Sequence, residues 1–271
     1  MAKYGTLGQK GIVEEYKKEL STYVSPKFTF VSFTLNSKCN RYKDVVCLDE
    51  TRVGISGPRN YIHANWVHDY AKSSRLFIMT QVYVSSIIML CGIKENGEIL
   101  SSEYWPGAAG EFKNYGTMFV SNKKTDAFEK EIVFTLEVLP DGCSNSVITR
   151  IVQYEEWNLK SKATAVQLTK ITKMVDKLEH IGGGAGRPIV TMDSSGVDRA
   201  ALLVMSDYII NQLDKGLAVD VPELCRWLRR ARASSIRTEE QYLFLIQSIV
   251  EYSFRGNEKY KAIHDKLCPQ D

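Results

Sequence analysis

Asp193, Asp198 and Arg199 fall within one short stretch, Met192-Asp-Ser-Ser-Gly-Val-Asp-Arg199, that follows the apolar run Pro188-Ile-Val-Thr191 and precedes a helical pattern from Ala200 to Leu213. A tight loop between a buried strand and a helix N-terminus gathers unpaired backbone N–H groups, and the helix dipole adds roughly half a positive charge. Such a loop can hold an anion, and an Arg at its end suits a phosphate. The two carboxylates oppose that use. At ~4–6 Å and an effective dielectric near ~20, each added carboxylate repels each unit of phosphate charge by roughly 3 to 4 kcal/mol. The residues therefore predict that Asp193 folds into the loop and accepts hydrogen bonds from the same N–H groups and from Arg199. Aspartyl phosphate chemistry requires a second Asp two residues on with Mg2+ between the pair, which the spacing of Asp193 and Asp198 does not provide.

Several elements must position this loop. Ala163 to Leu178 carries apolar residues at helical spacing and leads through Gly182-Gly-Gly-Ala-Gly186 to the strand. Asp220-Val-Pro222 starts a further helix, and Thr238-Glu-Glu-Gln241 is a capping box opening another through Tyr252. From Phe28 to Val152, short runs rich in Val, Ile, Tyr, Phe and Thr alternate with turns such as Glu95-Asn-Gly97 and Leu139-Pro-Asp-Gly142. Glu131–Leu139 and Asn145–Trp157 flank the second of these as neighbouring antiparallel strands. Leu7 to Tyr23 forms an amphipathic helix with Ile12, Tyr16, Leu20 and Tyr23 on one side. The organisation is a helical arm over 1–25, a strand-rich half over 26–160 and a helix-rich half over 161–271, without repeats: one α/β (α+β) domain.

Composition excludes several function classes. The chain has 271 residues, 44% hydrophobic and 25% charged, as in soluble globular proteins. Its formal charge of +3, from 35 basic against 32 acidic residues, is too small for a general attraction to nucleic acid or anionic membrane. The apolar runs fall short of the ~20 residues of a membrane helix, and the start MAKYGTLGQKG lacks an apolar signal core, so neither insertion nor export is expected. Cys39, Cys47, Cys91, Cys143, Cys225 and Cys268 include no C-x-x-C pair, and His63, His68, His180 and His264 are scattered. This predicts reduced, mostly buried thiols, no structural zinc and no cofactor, in a cytoplasmic protein with the nucleus or cell cortex as alternatives.

The 192–199 loop resembles the signature of the classical protein tyrosine phosphatases, H-C-S-A-G-x-G-R. Further matches follow in the family's order: Asn40-Arg-Tyr-Lys-Asp-Val45, Tyr61-Ile-His-Ala-Asn-Trp66, Thr80-Gln81, Glu103-Tyr-Trp-Pro106, Trp157 and Thr238-Glu-Glu-Gln-Tyr242. The phrasing of NRYKDVVCLDETRV and YIHANWV resembles the nematode branch most. The resemblance implies a highly twisted, mostly parallel mixed sheet with helices on both sides and the loop at its centre.

It also implies an inactive member, a pseudophosphatase. The family needs a thiolate nucleophile, a phosphate-clamping Arg and a mobile-loop Asp that protonates the leaving group. Asp193 stands at the nucleophile position after Met192, with Ser194, Ser195, Gly196, Val197 and Asp198 completing the degenerate loop before Arg199. The mobile loop reads Trp157-Asn158-Leu159, with Leu159 in place of the acid; Glu155 and Glu156 are poor substitutes. Arg237 replaces a water-orienting Gln, while Gln241 persists. Tyr42 and Asp44 match the residues that sandwich phosphotyrosine and hold the peptide backbone, although Asn40–Val45 is equally readable as structural, its Arg and Asp pairing inside the fold. Arg226, Arg229, Arg230 and Arg232 give a basic helix face, solvated or available to acidic partners. After Gln81 the chain is shortened where the family has a helix, which should bare apolar surface. Two functions compete: a binding or regulatory module for phosphotyrosine-bearing or acidic protein segments, possible partners being a tyrosine-phosphorylated protein or a kinase, and a scaffold of the same fold with a closed pocket and partners bound elsewhere.

Overall fold

The structure, a computed structural model, describes all residues except 56–59, 69–74, 81–85, 156, 158–161, 182–187, 256 and 269–271. The described helices are α1 (Ala2–Glu19), α2 (Val31–Leu35), α3 (Lys162–Ile181), α4 (Arg199–Asp214), α5 (Val221–Ala231), α6 (Glu239–Phe254) and α7 (Lys261–Leu267). The strands are β1 (Arg52–Gly54), β2 (Tyr61–Val67), β3 (Phe77–Thr80), β4 (Ser86–Met89), β5 (Lys94–Glu95), β6 (Glu98–Ile99), β7 (Phe112–Tyr115), β8 (Met118–Ala127), β9 (Glu131–Pro140), β10 (Val147–Tyr154) and β11 (Ile189–Met192).

Among the described residues, nine strands form one mixed sheet in the order β1-β2-β3-β11-β4-β10-β9-β8-β7, and β5 pairs with β6. Pairing is parallel where β3, β11, β4 and β10 meet and antiparallel at both flanks, so the sheet is mixed but not mostly parallel. The parallel centre is where continuous apolar runs are needed, because a strand covered on both faces buries every residue. Phe77–Thr80 and Ile189–Met192 are accordingly buried throughout. The expected β9–β10 pairing is present, with Ile151 opposite Phe134.

Alternation divides the core. Ile88, Leu90, Val152 and Ile189 face α1 and α3–α7, with α4 buried on nearly all sides. Ile87, Met89, Ile151 and Val190 point the other way, into a second cluster drawn from strands and loops, with Trp105 beneath Phe134. Over β8–β10 this second face opens into an apolar groove of about 510 Å³ beside Met118, Leu136 and Val147. Residues 81–85, the start of the stretch expected to bare apolar surface, lie outside the described residues.

The helix signals operate as the sequence implies. Asp220 caps α5, accepting from the Glu223 N–H at 3.1 Å, and both arms of the Thr238/Gln241 capping box are formed. The N-terminal helix starts earlier than its pattern suggests and kinks at Gly8, whose φ of 64° lies in the left-handed region. It buries Ile12 and Tyr16, and Tyr242 donates to Glu15 at 2.6 Å.

Candidate functional site

Asp193 sits at the end of β11, 3% exposed, and its carboxylate occupies the loop. Oδ1 accepts from the Ser195 N–H at 2.7 Å and the Gly196 N–H at 2.5 Å; Oδ2 accepts from the Asp198 N–H at 3.2 Å and the Ala200 N–H at 2.8 Å. The Ser195 hydroxyl is shared between Asp193 Oδ1 (2.9 Å) and Asp198 Oδ2 (2.7 Å). These N–H groups, at the mouth of α4, are the donors an anion would use. Gly196 makes the turn possible: its φ is +70°, and a Cβ would stand 2.8 Å from Arg232 Nη2 and 2.9 Å from the Thr80 carbonyl oxygen. Met192 is buried against the Tyr104 hydroxyl, and Val197 is fully buried.

Arg199 does not reach Asp193, contrary to expectation. Its guanidinium forms a two-pronged pair with Glu95 at 2.7 and 2.7 Å and donates to the Leu90 carbonyl at 3.0 Å. Glu95 is set for this by the β5–β6 hairpin and by the Gly92 N–H at 2.8 Å. Burial pushes the Glu95 carboxyl up, but the Arg199 and Gly92 hydrogen bonds outweigh it and hold it below the usual carboxylate range. The same partnership keeps Arg199 above its ordinary value against the opposing effect of burial.

The two-carboxylates-against-one-Arg picture also needs correction, because two further arginines face the loop. Arg237 donates to Asp198 from Nε at 2.9 Å and from Nη2 at 2.5 Å, and Gln241 Nε2 adds a bond at 2.8 Å. Burial raises the Asp198 carboxyl, but Arg237, Ser195 and Gln241 together hold it below its normal value. The stabilisation this pair gives is present above the ordinary carboxylate range and is lost as pH falls through the lowered folded-state value. Arg232, 0% exposed, donates to the Asn65 side-chain oxygen at 2.7 Å and to the carbonyls of Gly196 (3.1 Å) and Ser195 (3.4 Å).

The expected basic face is therefore not one. Arg232 and Arg229 are buried, Arg229 donating to the carbonyls of Ser235 and Ile236, while Arg226 and Arg230 pair with Glu223. Ile236 is held at φ 55°, an uncommon backbone for a β-branched residue, and Arg229 and the Val197 carbonyl clamp that turn so that Arg237 points at the loop.

The rim is closed by the residues matched to peptide binding. The Tyr42 hydroxyl is hydrogen-bonded to Ser194 Oγ, and Arg237 Nη1 reaches across to Asp44 at 3.3 Å. Arg41 does not pair with Asp44 but donates to the carbonyls of Ile99 and Leu100, while Asn40 accepts from the Tyr61 hydroxyl at 2.6 Å. Trp157 packs at the edge of the helix-side core, and Glu155 is exposed. Asn158, Leu159 and Glu156 lie outside the described residues. Cys91, the thiol beside the loop, is pushed up to about 12 by burial and by the Asp193 charge, which leaves it a poor nucleophile. Cys39 and Cys143 are exposed and the other four thiols buried, none in a disulfide.

His63 shows how the buried Arg232 is accommodated. The ring Nε2 is 2.8 Å from the Val45 carbonyl, and burial followed by the Arg232 charge lowers its pKa to about 3. Below the unfolded value of about 6.5 the unfolded chain takes up a proton that the folded chain refuses, so stability falls with pH. From pH 7 to pH 5 this one group should cost about 2 kcal/mol. Urea unfolding at the two pH values checks it: His63→Gln should lose visibly less than the wild type, and equal losses would contradict the assignment.

Compared with known proteins, residues 36–83 and 81–251 match the family model for protein-tyrosine phosphatase. The chain belongs to the protein-tyrosine phosphatase family. It is 24% identical over 269 residues to the putative tyrosine-protein phosphatase C15H7.3 of Caenorhabditis elegans, covering 92% of this chain and 65% of that protein. It is 25% identical over 252 residues to the putative receptor-type phosphatase mosPTP-1 of Aedes aegypti, covering 83% of this chain and 19% of the relative. The chain thus spans less than two thirds of these curated relatives. A solved structure from work on the structural basis of the PTPN18 fingerprint on distinct HER2 tyrosine phosphorylation sites shares the fold, with a TM-score of 0.74 at 22% identity over 91% of this chain and 92% of that one. Among the described residues, no helix is long and apolar enough to cross a membrane.

Proposed function

We propose that this chain is a catalytically inactive member of its family, a protein-interaction scaffold whose phosphate pocket is closed by its own side chains. The observation that carries this reading is the Asp193 carboxylate, which takes the four backbone N–H groups a phosphoryl group would need. Three further contacts act in the same direction: Tyr42 lies over Ser194, Arg237 joins Asp44 to Asp198, and Arg199 is committed to Glu95. A carboxylate saturated with donors is a weak nucleophile, and Leu159 supplies no proton to a leaving group. Partners would then bind away from the loop; an apolar protein segment covering the groove over β8–β10 is the contact this reading favours.

The alternative, capture of phosphotyrosine without hydrolysis, draws on the half-buried Tyr42 and the exposed Asp44 at the rim. It requires Asp193 to leave its donors. The readings separate in one experiment. Aryl phosphate hydrolysis should stay at background in the wild type, and Asp193→Cys should restore little, since no proton donor returns with the thiol. Calorimetric titration should give no difference between a phosphotyrosine peptide and its unphosphorylated twin. Release of phenol that depends on Arg199 would overturn inactivity, and micromolar binding selective for the phosphorylated peptide would replace the scaffold by the capture reading.

A further inference from the structure

A second cluster of chemistry-bearing side chains lies far along the chain from the loop, where α7 packs on α6. His264 and Cys268 are four residues apart, which brings imidazole and thiol to one side of the last turn of α7. Glu251, in the last turns of α6, faces them: its Oε2 is 2.8 Å from His264 Nε2, and one ligand atom from each of the three residues lies within 4.8 Å of the others. The imidazole is 6% exposed and the Glu251 side chain 14%. Stacking on Phe254, at 4.4 Å between centroids and 24° between planes, fixes the ring.

The donor geometry of this cluster suits a cation. His264 Nδ1 is 3.3 Å from Asp265 Oδ1 while Nε2 faces Glu251, so both ring nitrogens meet carboxylates. A neutral imidazole has one N–H and can satisfy only one of them. A metal ion on Nε2 lets the ring keep its single N–H for Asp265 while Nε2 still faces the Glu251 side, and the neighbouring thiol offers a third donor. Imidazole, thiolate and carboxylate together are the donor set of Zn2+, with a water as fourth ligand, and are unsuited to Ca2+ or Mg2+. Asp265 would then hold the Nδ1–H, as carboxylates commonly do behind metal-bound histidines.

We propose that Glu251, His264 and Cys268 form a zinc-binding site that ties α7 to α6. Bond lengths of about 2.0–2.3 Å place tetrahedral donor atoms roughly 3.3–3.6 Å apart, so binding needs the Glu251–His264 contact to widen by about half an ångström and the wider separations, bounded at 4.8 Å, to close by up to about an ångström. The Cys268 thiol gives its proton to solvent, His264 binds through the Nε2 lone pair with its one N–H on Nδ1, and the 3.5 Å contact from Cys268 Sγ to the Gln247 carbonyl is exchanged for the metal bond. The segment is joined to the N-terminal helix by Gln9 Nε2 on the Leu267 carbonyl (3.0 Å) and Lys266 Nζ on the Gly5 carbonyl (2.6 Å), so zinc would fix α1, α6 and α7 as one corner.

The full chain, stripped with chelator, would be titrated with ZnCl2 and followed by melting and by elemental analysis after gel filtration. One zinc per chain should be retained, with Tm raised by about 5 °C or more when zinc is a hundredfold above Kd. Cys268→Ser, which preserves the packing, should weaken affinity at least tenfold, and a Cys39→Ser, Cys143→Ser double variant should not. Cobalt in place of zinc should give a thiolate charge-transfer band that Cys268→Ser loses. Failure to retain zinc, equal retention by Cys268→Ser, or a cobalt spectrum without the thiolate band would each overturn the site.

Discussion

Asp193→Ala is expected to lower the stability of the fold by about 3–5 kcal/mol. The volume removed is small, so the cavity contribution is minor beside the electrostatic one. Four backbone N–H groups lose their acceptor in a site almost closed to water, the Ser195 hydroxyl is left with Asp198 alone, and the buried Arg232 loses a neighbouring charge. The α4 dipole adds to the loss, since an anion at a helix N-terminus contributes up to about 2 kcal/mol when partly buried. Asp193→Asn should cost less, because one acceptor oxygen remains, but its amide would meet donors such as the Ala200 N–H. Chemical denaturation at pH 7 gives the ordering: Ala worst, Asn intermediate. Near-neutrality of both would mean that the carboxylate is not what holds the loop.

Arg232→Met should be comparably damaging, again by about 3–5 kcal/mol. The Met stem fills much of the space, so the loss comes from the oxygen of Asn65 and the carbonyls of Gly196 and Ser195, left without donors where water does not reach. A second readout separates this from a packing defect. The Arg232 charge is one of the two causes that depress His63 to about 3, so its removal should raise the His63 pKa in an NMR titration. A His63 titration unmoved by the substitution would show that burial alone sets it.

The strand, loop and helix around Asp193 were legible because each has a local signal: the short apolar run, the Gly at a positive φ, the capping residues at Asp220 and Thr238. The filling of the loop by Asp193 was legible for the same reason, since acceptor and donors are within a few residues. Its partners across the fold were not. Glu95 was visible only as part of an Asn-Gly turn, and nothing local announces that its carboxylate captures Arg199, 104 residues away. Arg232 belonged to a run that reads as a charged surface, because a fully buried Arg is the rare case. Only its long-range donors to Asn65 and the loop carbonyls explain why it is inside. The spacing of His264 and Cys268 was present in the sequence, but the third group, Glu251, is brought to them by the packing of two helices.

Occupation of the phosphate loop by the chain's own carboxylate is tested most directly by following the melting temperature of wild type and Asp193→Ala against inorganic phosphate at constant ionic strength. The wild type should be indifferent, its donors already taken. The Asp193→Ala variant should recover much of its lost Tm as phosphate occupies the vacated N–H groups. A rise in the wild type as large as in the variant would contradict the account, because it would mean that the cradle is open and Asp193 does not fill it.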